Sequence, residues 1–140
     1  MKNARWTVAG RLAACVLGTV IAGSIASAEE PDPAASAKGK VVYQRYCGSC
    51  HGREARGDGI LAQDLTIAPP DLTMLAKKNG GHFPFSKVAE IIDGRQLARG
   101  HGAPDMPVWG EVFPKTEGTD TADVKTVVGR LTQYLWSVQR

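Results

Sequence analysis

The chain has 140 residues, with 17 Lys and Arg against 14 Asp and Glu, a length that suits one domain. Its formal charge of +3 belongs to its first segment, because Lys2, Arg5 and Arg11 supply the whole excess. Without them the balance is neutral, and with no Lys/Arg stripe interleaved with aromatics a nucleic-acid partner gets no support.

Residues 1–28 have the layout of a secretory signal peptide. A positive start is followed by the uncharged, apolar or small run Leu12–Ile25, then by Ala26-Ser27-Ala28 as an A-x-A cleavage site. The apolar run is short of the ~20 residues that span a bilayer comfortably, so cleavage and no stable membrane insertion afterwards are expected. No twin-arginine pair is present, which points to export in an unfolded state, and the expected location is the periplasm. Leu12-Ala13-Ala14-Cys15 looks like a lipidation box, but its apolar stretch follows the cysteine instead of preceding it. Cleavage after Ala28 removes Cys15. The two remaining cysteines, Cys47 and Cys50, share one motif and leave none for a structural disulfide.

Residues 29–36, Glu-Glu-Pro-Asp-Pro-Ala-Ala-Ser, read as a flexible leader, and 37–140 as the single domain. Ala37–Cys47 is predicted as the first helix, with Val41, Val42, Tyr43 and Tyr46 on its buried face. Gly52–Pro70 reads as mostly loop. Asp71 can cap a short helix over Leu72–Lys78, stopped by Asn79-Gly80-Gly81, and Ser86 can cap another over Lys87–Ile92, ended by Asp93-Gly94. Arg95–Thr119, rich in Gly and Pro, is expected to be an ordered loop. The last helix is placed at Asp120–Gln139, on the stripe Val124, Val127, Val128, Leu131, Leu135 and Val138. Strand signals are weak everywhere, so the expected class is all-α.

Cys47-Gly48-Ser49-Cys50-His51 is C-x-x-C-H, the attachment sequence of a c-type haem. Two thiols three residues apart each bond one vinyl group of the same porphyrin, and the histidine that follows becomes an axial iron ligand. One such motif means one haem. The second imidazole nitrogen of such a ligand ordinarily donates to a carbonyl. The Pro69-Pro70-Asp71-Leu72 turn offers one, with Pro70 as the expected acceptor. For the sixth iron position the candidates are Met74, Met106, His82 and His101. Met74 fits core packing better. Met106 lies between Pro104 and Pro107, and a stiff loop holds a weak thioether at small entropic cost. Met106 is therefore the expected ligand. His101 could support its loop, and His82 follows a Gly-Gly turn near the haem rim. Trp109 and Phe113 are candidates for the pocket wall, with plain core packing an equal alternative. Arg95 and Arg99 are candidates for pairing with a propionate.

On these residues the chain resembles the class I monohaem cytochrome c family, in its bacterial periplasmic branch, from about Ala37 to Val138. Gly39, Tyr43 and Cys47 are spaced by four like the family's first-helix residues, and Leu131 and Tyr134 like their partners on the last helix. The resemblance implies a few short helices wrapped around one covalently bound haem, with the first and last helices crossing near Gly39. It also implies thioether roles for Cys47 and Cys50, axial roles for His51 and Met106, and ligand support from Pro70. No ring of lysines like that of the mitochondrial carriers is present, so their docking mode is not implied.

The function expected is one-electron transfer between a respiratory donor and an oxidase or reductase, by a carrier that is not itself an enzyme. Its partners would be redox proteins, and it would act as a monomer or as a subunit of a redox complex. Two alternatives come from other classes. A haem enzyme or gas-binding protein needs a displaceable sixth ligand. A thiol or zinc module needs βαβ patterning or a second ligand knuckle, and the sequence has neither.

Overall fold

Asp32 and Pro33 start the first helix. The Asp32 carboxylate accepts from the amides of Ala34 (2.8 Å) and Ala35 (3.2 Å), and Pro33 stands where its missing N–H costs nothing. The computed structural model describes residues 30–95, 106–116 and 121–140. In it α1 runs over Pro33–Tyr46. The helix thus begins four residues before its sequence-based start, and residues 33–36, expected in a flexible leader, are helical. The apolar pattern starts only at Val41 and could not report this. The early turn is held instead by polar contacts with the far end of the chain. The Ser36 hydroxyl donates to the Gln133 carbonyl (3.0 Å), and the Asp32 amide to the Gln133 side chain (2.9 Å). The signal-peptide reading falls on residues outside those described.

One turn, α2 (Gly48–His51), follows α1 almost without a break. Next come short 3-10 turns at Ala62–Asp64 and Leu72–Met74, then α3 (Leu75–Lys78), α4 (Phe85–Asp93), α5 (Trp109–Thr116) and α6 (Thr121–Ser137). Among the described residues there is no strand, and the fold is all-α as expected. Asp71 caps as predicted, accepting from the Thr73 amide at 2.9 Å. Ser86 does not cap. The turn Phe83–Pro84 starts α4 at Phe85, two residues before the expected Lys87, without a side-chain cap, and Ser86 lies exposed in its first turn. Helix α5 corrects the long loop expected over 95–119. Its Pro114 and Gly110 read as breakers in sequence. The helix forms because Trp109 and Phe113, one turn apart, bury a common face.

The core sits between α1 and α6, with α4 and α5 closing it. A Cβ at Gly39 would strike the Arg130 carbonyl and lie 3.0 Å from the Tyr134 Cβ, so the two helices cross in contact at the expected point. Tyr43 and Tyr134 pack there with ring centroids 5.0 Å apart. Val124, Val128, Leu131 and Leu135 of α6 are buried, each removing ~1.5–3 kcal/mol worth of apolar surface from water. The end of the chain clips onto the 71–76 segment. The Arg140 amide donates to the Thr73 carbonyl (2.9 Å), and the Gln139 side chain bridges Leu72 and Ala76 (both 2.8 Å). Among the described residues no helix is long and apolar enough to cross a membrane.

Candidate functional site

The motif occupies the junction of α1 and α2. Cys47 ends one helix and starts the other, so Cys50 and His51 lie on the single turn that follows, with the His51 amide donating to the Cys47 carbonyl at 2.9 Å. Positions three and four apart on a helix share a face, which puts both thiols and the imidazole on one side of the turn. Neither Cys47 nor Cys50 is engaged in a disulfide. Burial, and secondarily the neighbouring Cys50, pushes the Cys47 thiol up to about 12. Burial also lowers the His51 pKa and keeps the imidazole neutral, the form that donates a lone pair to a metal.

The loop after the motif holds this turn by its carbonyls. Leu61 donates to Ser49 (2.9 Å), Gly59 to Cys50 (3.2 Å) and Gly57 to His51 (2.9 Å). The buried Tyr43 hydroxyl donates to Gly52 (2.8 Å). These are carbonyls that a helix end leaves open, and each has a partner. Ala55, fully buried, takes a left-handed φ of 61°, a conformation costing ~1–2 kcal/mol for a non-glycine residue. Its carbonyl accepts the Leu72 amide at 2.8 Å, which ties the loop to the 71–76 segment.

Tyr43, Tyr46 and Ala55 were not singled out as site residues from sequence. The buried face of α1 carried the signal for the two tyrosines, whereas nothing in the sequence announced Ala55. Tyr46, immediately before Cys47, meets Trp109 and Phe113 edge-on, each at 5.6 Å between centroids, while those two rings stack at 5.2 Å. The structure thus brings Trp109 to the motif as one wall of an aromatic cluster. Met106 is partly buried against the same core, while Pro107 and Val108 are exposed.

Other expected residues sit differently. The hydrogen bond from His51 to Pro70 is not formed: Pro70 is exposed, and His51 Nδ1 is buried without a partner. Arg95 forks onto Asp93, with Nε–Oδ1 at 2.6 Å and Nη2–Oδ2 at 2.7 Å. Its planar donor edge therefore has a protein partner in Asp93, where a propionate and solvent were the candidates. Met74 is half-buried at the edge of a groove with Asp71, Lys77 and Arg140, outside the central core. His82 is exposed. Arg99 and His101 lie outside the described residues.

The donor set fits a haem. Two thiols and a neutral imidazole share one turn, the buried Nδ1 of that imidazole has no protein partner, and an aromatic wall and a thioether stand in the same core. A groove of about 460 Å³ elsewhere is lined by Lys40, Arg53, Glu54, Arg56 and Arg140 and includes none of these groups.

A family model described as Cytochrome c matches residues 36–138, most of the chain. No curated protein and no solved structure matches the chain.

Proposed function

The chain belongs to the cytochrome c family, and from that membership we propose that it is a periplasmic one-electron carrier whose single haem is ligated by His51 and Met106. Its cofactor is haem c, bound covalently through Cys47 and Cys50, and its activity is haem-based electron transfer. When bound, the haem supplies a ferric–ferrous couple.

The observation that carries the proposal is the pairing of a carbonyl-pinned turn bearing Cys47, Cys50 and His51 with Met106 set in the same aromatic-walled core. Pinning keeps the imidazole in one place in both oxidation states. A soft thioether and an apolar wall favour the ferrous form and raise the potential. Tyr46, Trp109 and Phe113 exclude water from that side. Held by both His51 and Met106, the haem would move charge and take no substrate. Residues 1–28 act in this reading as a cleaved export signal. The partners are redox proteins, a respiratory donor and an oxidase or reductase, met by a free carrier or a subunit of their complex.

The test is Met106→Ala in the mature holoprotein. Its ferric form should lose the sulfur-to-iron charge-transfer band and become reactive towards carbon monoxide when reduced. Persistence of the band in the variant would move the sixth ligand elsewhere.

A further inference from the structure

Met106 enters the core from a segment that packs against the end of α4, and the packing is unusually close. Gly94 ends α4 in a left-handed turn, φ 74°, with its amide on the Glu90 carbonyl. A Cβ on Gly94 would lie 3.3 Å from both Cα and Cγ1 of Val108. On the reciprocal side, a Cβ on Gly110 would strike Asp93 Oδ1 and come within 2.5 Å of Arg95 Nε and 2.8 Å of the Asp93 carbonyl. The backbone at 108–110 therefore rests on the 93–95 turn through two bare glycines. The surface under Gly110 is the Asp93–Arg95 fork itself, whose side chains are only 21% and 28% exposed. Met106 stands two residues before the first of these contacts.

We propose that the Asp93–Arg95 ion pair, seated beneath Gly110, is a positioning device that holds Met106 in place as an iron ligand. The proposal rests on the reading of Met106 as the sixth ligand. A thioether is a weak ligand, so its retention depends on how rarely the segment carrying it moves away. A bidentate guanidinium–carboxylate pair fixes geometry as well as charge, and here it shapes the platform on which the segment lies. Each member stabilises the charged form of the other: hydrogen bonding from Arg95 lowers the Asp93 pKa, and Asp93 raises that of Arg95. An added ligand that competes for the iron binds only the opened form, so its apparent affinity reports the open fraction.

The experiment is an imidazole titration of the ferric holoprotein, followed by loss of the sulfur-to-iron charge-transfer band, with thermal unfolding recorded on the same samples. Arg95→Gln and Gly110→Ala should lower the imidazole concentration at half-loss by about fivefold to tenfold. Arg95→Lys should fall between these and the unmodified protein, because an ammonium pairs with Asp93 but cannot fork. An unchanged half-loss concentration in Arg95→Gln and Gly110→Ala, whatever happens to their melting, overturns the positioning role and leaves Met106 ligation standing. A band missing from the unmodified protein, or persisting in Met106→Ala, overturns the ligand assignment and the positioning role with it.

Discussion

Asp71 shows how one side chain near the site serves several contacts. Its carboxylate accepts from the Thr73 amide and hydroxyl and pairs with Arg140 Nη2 at 3.1 Å. The Thr73 hydroxyl, ahead of the other contacts, holds its pKa below the ordinary 3.8. A carboxyl depressed on folding adds stability above its unfolded value and loses it as pH falls through the folded one. Asp71→Asn should therefore weaken the protein at pH 6 and flatten the loss of stability as pH falls below the ordinary 3.8, measured as denaturant midpoint against pH. An acid limb as steep as the unmodified protein's would remove Asp71 from this role. Residue identities at the site were legible in sequence where chemistry restricts them. Cys47, Cys50 and His51 have few other uses at that spacing. Asp71 was legible as a cap, and Trp109 as an apolar residue for either a pocket wall or the core. The pairing of Arg95 with Asp93 was not, since a fork across a left-handed glycine depends on backbone shape that residue types do not reveal.

The elements were legible where periodicity was strong. The apolar stripe of α6 located that helix closely, its observed span being Thr121–Ser137. Where polar contacts decide the boundary, sequence fell short. Asp32 and Ser36 extend α1 through hydrogen bonds to Gln133, about one hundred residues away. Helix α5 was hidden because Gly110 and Pro114 look like interruptions, although Trp109 and Phe113 supply enough burial to override them. The crossing of α1 and α6 at Gly39 was implied by the family resemblance, and it is the contact on which the fold leans most. Gly39→Ala sets a methyl group against the Arg130 carbonyl and forces the helices apart. Overpacking of this kind costs about 1–3 kcal/mol, read as a lower denaturant midpoint for the holoprotein. An unchanged midpoint would mean that the helices do not meet at Gly39 as described.

On the scale of the whole molecule, the two terminal helices form a fixed frame, and the site hangs on it from both sides. Tyr43 links α1 to the carbonyl of Gly52, just past the histidine, while Tyr46 links the same helix to Trp109 and Phe113 on the methionine side. The Gln139 and Arg140 contacts return α6 to the loop that packs beside the motif. His51 thus sits on a helical turn braced by α1 and by the loop that follows it. The most direct measurement is an optical redox titration of the mature protein produced in a haem-attaching cell. It should show one haem that survives denaturation and washing, a single one-electron transition, and six-coordinate low-spin iron on both sides of it. A colourless polypeptide, or a high-spin ferrous form with an open coordination position, would contradict the account.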